Sequence, residues 1–296
     1  MKTILSGSLL LLLALLTGCA TTPSSGQKVF PTGEAAADSF IATVKSHDNA
    51  AYEEILGRDW KKLLPADGVD PKDVETFLNE AAQSHSIVTN DAGKVLLSVG
   101  TGGWTLPIPL VHDTDGWRFD TKAGEEEIRT RRIGRDELAV IQAALAYCDA
   151  QREYAQADHD GDNVPEYAQR LLSSPGKHDG LYWSTAEGEP ESPLGPLLAE
   201  HKAGTAYHGY RYRILTSQGA NARGGTRDYI IGGRLTGGFA LVAWPATYDD
   251  TGVMTFVVNH EGQVYQKDLG KDTASAVRKI KSFDPDTSWH KVTAEK

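Results

Sequence analysis

Between two strand-rich stretches the chain carries a run of 33 residues, Glu125 to Ala157, that no proline or turn cluster interrupts. Leu138, Ile141, Leu145, Cys148 and Ala155 recur along it at helical spacing, and Val140, Ala144 and Tyr154 widen the stripe. A helix this long with one apolar flank needs a broad apolar surface to lie on, and the strands around it are the natural supplier. The run therefore predicts an α+β protein in which a long helix is laid along an antiparallel sheet.

The segments on either side extend that expectation. Ala36, Phe40 and Val44, then Tyr52, Ile55 and Leu56, follow a helical period, with a bend expected at His47-Asp48-Asn49. Pro71 to Ser84 places Val74, Phe77, Leu78 and Ala81 on one face of another helix. Beyond Asn90-Asp91-Ala92-Gly93 the period shortens to strands, in KVLLSVG, WTLPIPLV and GWRFDT. After Gly204 the chain becomes strand-rich again, and GVMTFVVNHEGQVYQKDLG reads as a hairpin turning at Asn259-His260-Glu261-Gly262. Two α+β domains are expected, over 33–125 and 126–296.

The N-terminus carries an address. A Lys at position 2, an apolar run from Leu9 to Leu16 and the tetrapeptide Leu16-Thr17-Gly18-Cys19 form a secretory signal, too short in its apolar core to span a bilayer comfortably. The tetrapeptide resembles the bacterial lipobox, which implies removal of residues 1–18 and acylation of Cys19. Two or more acyl chains would anchor the chain stably to a membrane. The absence of Asp after Cys19 leans toward the outer membrane, with the protein facing the periplasm. Residues 19–32, small, polar and punctuated by proline, read as a flexible tether that could reach roughly 40 Å at about 3.3 Å per residue.

Charge and cysteine content narrow the function. The formal charge is −10, and −11 once Lys2 leaves with the signal. Such an acidic exterior argues against nucleic acid and against electrostatic adhesion to anionic lipid. Cys148 is the only cysteine besides Cys19, so no intramolecular disulfide is available to a lipidated chain and Cys148 is expected to be buried.

The sharpest local feature is ADHDGDNVPEY, which ends the long helix. Asp158, Asp160 and Asp162 alternate, Gly161 permits a sharp bend, Val164 offers a carbonyl and Glu166 a later carboxylate. Calcium takes six to eight oxygen ligands and suits this pattern. The stretch also resembles one calcium repeat of the thrombospondin type 3 class. With Gly161 taken as the turn glycine, it is not an EF-hand, because Gln156 and Tyr167 stand where the first and last acidic ligands would fall. The competing reading is a solvated acidic turn in which one Asp caps a short helix starting near Val164-Pro165.

No HExxH, GxSxG, P-loop or dinucleotide fingerprint occurs, and the Gly-rich run from Gly219 to Gly238 reads as hairpin loops around a short strand. A binding or assembly role, with calcium as the candidate ion and an envelope protein as the candidate partner, is therefore favoured over catalysis. One alternative is a carboxylate-dependent hydrolase of cell-wall or glycan substrates, which would need two of Glu187, Glu189, Glu191 and the Asp cluster to converge about 5 to 9.5 Å apart. Another is small-ligand capture in the N-terminal domain, in a pocket behind Trp104 and Trp117. The aromatic and Arg-rich set Trp183, Tyr207, Tyr210, Tyr212, Trp244, Tyr248, Arg211, Arg213 and Arg227 could line a groove or could simply be core and strand-face residues.

Longer segments carry family likenesses. AQREYAQADHDGD, EYAQRLLSSPGKHDGLYW, SPLGPLLAE, GYRYRILTSQG, GGFALVAWPATY and FDPDTSW together resemble the bacterial lipoprotein family catalogued as domain of unknown function 2950, over about residues 30–292. The helices-then-strands order closing with Gly116-Trp117-Arg118-Phe119-Asp120-Thr121 resembles the cone-shaped domains related to nuclear transport factor 2. The long helix, the acidic turn and the sheet ending in FALVAWPA and TFVVNHEGQVY are similar to pilin-like and pseudopilin-like proteins. In pilins, however, the helix follows a cleaved leader and lies in the membrane, and here it starts more than a hundred residues in. The pseudopilin likeness implies calcium in the loop region.

Overall fold

The computed structural model describes residues 26–65, 68–185, 191–195 and 206–293. The expected signal peptide, Cys19 and the first part of the tether lie outside the described residues, as do Glu187 and Glu189. The chain divides into two compact units, with the boundary between Glu125 and Glu126. No helix of the described residues is long and apolar enough to cross a membrane.

The first unit opens with helices α1 (Gly33–Ser46) and α2 (Asn49–Leu56). The bend expected between them is built from two caps: His47 closes α1 in the left-handed conformation, and the Asp48 carboxylate accepts the Ala50 N–H to start α2. A short 3-10 turn (Trp60–Leu63) and helix α3 (Pro71–Gln83) follow, α3 having Asp70 as its cap and Pro71 in its first turn. Strands β1 (His85–Thr89), β2 (Val95–Val99), β3 (Trp104–Thr105), β4 (Leu110–Asp113) and β5 (Gly116–Phe119) then form one antiparallel sheet. Its order is β1-β2-β4-β5, with β3 paired to β2. Leu97, Leu110 and Phe119 are fully buried, and Phe119 meets Phe40 at 5.4 Å between ring centroids.

Helix α4 runs from Thr121 to Tyr154, starting four residues before the expected Glu125 and ending three before Ala157. The Asp120 carboxylate accepts the Ala123 N–H at its start, which accounts for the earlier beginning. The expected apolar stripe is buried in part: Val140, Ala144, Cys148 and Tyr154 lie in the core and Ile141 packs against it, whereas Leu138 is 66 % exposed and Leu145 36 %. Tyr147 and Gln151 complete the buried face, although hydropathy does not mark Gln151 for it, and their polar atoms find partners inside.

Strands β6 (Tyr210–Leu215), β7 (Ser217–Gln218), β8 (Arg227–Asp228), β9 (Ile230–Ile231), β10 (Arg234–Leu235), β11 (Ala240–Pro245), β12 (Met254–Asn259) and β13 (Tyr265–Asp268), helix α5 (Thr273–Val277) and strand β14 (His290–Lys291) complete the second unit. The main sheet has the order β14-β13-β12-β11-β6 and is antiparallel throughout. Ala240 to Ala243 and Thr255 to Asn259 are buried without a break, so both faces of the central strands are covered. Phe239 meets Tyr147 of α4 edge-on at 5.6 Å, and the Cys148 thiol donates to the Asn259 carbonyl at 3.6 Å. Cys148 is a free, buried cysteine, and burial pushes its thiol up to about 12, which keeps it protonated and unreactive. The hairpin between β12 and β13 turns where expected, with Gly262 at φ 79°.

The N-terminal half of α4 is fixed to the turn before β12 by charge and hydrogen bonds. Glu137 accepts the Val253 and Met254 N–H groups through one carboxylate oxygen, both at 2.9 Å. Arg129 pairs with Asp249 at 3.0 Å, and Arg132 pairs with Asp250.

Candidate metal centre

The acidic stretch leaves α4 through Tyr154. His159 folds back so that its ring stacks on Tyr154 at 3.9 Å and its Nε2 lies 3.0 Å from the Tyr154 carbonyl oxygen. The far end of the loop is pinned by Gln151, which pairs with Ala168 as a strand partner would. Its Nε2 donates to the Ala168 carbonyl at 2.9 Å and its Oε1 accepts the Ala168 N–H at 2.8 Å. Gln151 is fully buried and also donates to the Tyr147 hydroxyl, so every one of its polar functions is engaged. Tyr167 exchanges a backbone bond with Leu235 of β10. Both ends of residues 158–166 are thus held by buried contacts.

Within that frame the loop winds around Asp158. Its carboxylate accepts the N–H groups of Asp160 (3.2 Å), Gly161 (2.8 Å) and Asn163 (2.8 Å). These bonds, that from Asn163 first, hold the Asp158 carboxyl below the usual range. The Asp160 carboxylate accepts the Asp162 N–H at 3.3 Å, and that of Asp162 accepts the Val164 N–H at 2.8 Å. Oxygens of Asp158, Asp160 and Asp162 all lie within 4.8 Å of one another. Both Gly161 and Asn163 adopt positive φ, at 82° and 64°.

Both residues also donate to the Asp158 carboxylate. Counted from Asp158, Asp160, Asp162, Val164 and Glu166 stand third, fifth, seventh and ninth, with Asn163 sixth and Gln169 twelfth; counted with Gly161 sixth, the loop starts at Gln156. No helix starts at Val164-Pro165, so the expected cap role is corrected.

Glu166 is the anomalous member. Its Oε2 is buried and has no hydrogen-bond partner. Burial first, and the charges of Asp160 and Asp158 next, raise its carboxyl above the usual range. Among the described residues one ion pair serves the four carboxylates, between Asp162 and Arg234 of β10. Arg234 sits in the Gly-rich run 72 residues away, and no local signal ties it to this loop.

The other sequence candidates separate in the structure. Tyr210 is fully buried and donates to the Met254 carbonyl at 2.9 Å, so it belongs to the core. Arg213 stacks on Trp244 and donates to the carbonyls of Val277 and Ile280, closing the end of α5. Glu191 is exposed. Phe119, Phe40, Phe77 and Trp104 form a continuous chain of ring contacts, and Trp117 packs instead against His112. Phe77 and Trp104 also line an open groove.

No solved structure and no curated protein matches this chain. One family model does match, over residues 27–292, a span that includes parts of both units. By that match the chain belongs to the family described as protein of unknown function (DUF2950).

Proposed function

We propose that this protein is a lipid-anchored component of the bacterial cell envelope that binds or assembles with an envelope partner, its second unit stabilised by calcium held in the 158–166 loop. The observation that carries the metal assignment is Glu166. A buried carboxylate oxygen without a partner, beside three converging aspartates, costs free energy that a divalent cation would remove. Asp158, Asp160 and Asp162 would supply side-chain oxygens, Val164 its carbonyl and Glu166 the carboxylate that closes the shell.

The lipid anchor rests on Leu16-Thr17-Gly18-Cys19 and the apolar run before it, with residues 1–18 as signal and 19–32 as tether. An outer-membrane position facing the periplasm follows from the residues after Cys19. Helices followed by an antiparallel sheet support the cone-shaped reading of the first unit, and a long helix whose residues Val140 to Tyr154 enter the core with the sheet supports the pilin-like reading of the second. A non-enzymatic role is supported by the exposure of Asp158 and Asp160 and by an inert Cys148.

Titration calorimetry of the full chain with calcium tests the metal. One site per chain is expected, abolished in Asp160→Asn; the absence of heat would remove the assignment. Metabolic labelling with a fatty acid tests the anchor, with Cys19→Ser expected to lose the label.

A further inference from the structure

Phe77 and Trp104 of the first unit border a groove of about 400 Å³. One wall is a single face of α3, carrying Asp73, Thr76, Phe77 and Glu80 at helical spacing. The other is Val99 of β2 and Trp104 of β3. Of the six tryptophans Trp104 alone is largely exposed, at 44 %. It is nevertheless fixed: its ring meets Phe77 edge-on at 5.9 Å, its residue pairs with Val99, and its carbonyl accepts the Ser98 hydroxyl at 3.2 Å.

Two carboxylates flank this indole. Asp73 and Glu80 are seven residues apart, about 10 Å along the helix axis, with Phe77 between them. Among the described residues neither side chain makes an ion pair or a hydrogen bond. Glu80 lies over Gly100, where an added Cβ would come 3.0 Å from its Oε2, so a side chain at residue 100 would crowd the carboxylate. Gly100 also takes φ 68°, which favours glycine independently.

We propose that this groove takes a basic side chain, arginine or lysine, of a partner polypeptide. A guanidinium or ammonium group can lie over the exposed indole while the flanking carboxylates accept its N–H bonds. The net charge of −10 would steer a basic segment toward the surface. The groove is open on one side, and a free small cation would stay largely wet there, whereas small-ligand sites bury most of their ligand. A side chain carried on a polypeptide brings the surface that covers it. The site is separate from the acidic loop and does not rest on the calcium reading.

The test is calorimetry of the full chain with the peptide acetyl-Gly-Arg-Gly-Arg-Gly-amide, its citrulline counterpart and free arginine amide. The arginine peptide is expected to bind, and the neutral citrulline peptide about tenfold more weakly or not at all. Trp104→Ala, and separately Asp73→Asn with Glu80→Gln, should each lower affinity about tenfold. Glu75→Gln with Asp91→Asn, which removes two carboxylates away from the groove, should leave it unchanged. The polar double variants are expected to melt like the parent chain, which guards against loss of fold in Trp104→Ala. No binding of the arginine peptide would overturn the proposal. So would equal weakening by the two double variants, or binding of free arginine amide as tight as that of the peptide.

Discussion

The second unit contains two acidic turns that solve the same electrostatic problem differently. In the turn before β12, Asp249 and Asp250 each receive an arginine of α4, Arg129 and Arg132. In the 158–166 loop four carboxylates share one ion pair, with Arg234, and the buried Oε2 of Glu166 has no partner. The first turn is neutralised by the chain itself. The second keeps an excess of negative charge in a fixed loop, and that is the arrangement expected of a site whose counter-ion comes from solution.

The strongest way to break this contrast is to release the second loop. Gln151→Leu leaves the buried N–H and carbonyl of Ala168 unpaired, and a loss of about 2 to 6 kcal/mol is expected in denaturant unfolding, at about 1 to 3 kcal/mol per unsatisfied group. Calcium affinity should fall with it, because the loop would lose its anchor. If Gln151→Leu unfolds with unchanged stability, the pin carries no weight.

The two arginines give a sharper comparison. Arg234→Gln is expected to cost about 1 kcal/mol in chelator and less in calcium, since the ion supplies the missing positive charge. Arg132→Gln should cost about 0.5 kcal/mol whether calcium is present or not, as an exposed pair does. Equal calcium dependence of the two variants would mean that the loops are electrostatically alike.

Glu166 gives a pH signature. Its carboxyl is raised in the fold above the ordinary 4.5, so its contribution to stability is fully present below the unfolded value and is lost as pH rises through the folded one. Asp158 is lowered, so its contribution is present above its unfolded value and is lost as pH falls. In chelator, Glu166→Gln should therefore remove a decline in stability that begins above pH 4.5 and extends upward through the raised value. A melting series from pH 4 to 8 that is unchanged by the substitution would contradict the raised carboxyl.

Much of the fold was legible because it is written locally. Capping residues at Thr32, Asp48 and Asp70, the turn at Gly262 and the unbroken apolar run of β11 each dictate their element within a few residues. The place of Gln151 on the buried face of α4 was not, because its type is polar and its partner is distant. Gln151 reads as a solvent residue until Ala168 is seen to bond it on both sides. The five loop oxygens of the candidate site could be named in advance, since alternation and a bend are local properties. Their register could not, because two neighbouring residues, Gly161 and Asn163, can both take positive φ. Arg234 was beyond reach for a different reason: it joins the loop through the pairing of Tyr167 with Leu235, which no spacing in the chain announces.

The central claim, that the 158–166 loop takes its counter-ion from solution, is tested most directly by melting the full chain in excess chelator and in calcium at a hundredfold its dissociation constant. A stabilisation of about 2.7 kcal/mol is expected at that ratio, which corresponds to a rise of roughly 5 to 10 °C for a unit of this size. Asp160→Asn should abolish the rise and Arg132→Gln should leave it intact. Identical melting in chelator and calcium would contradict the account.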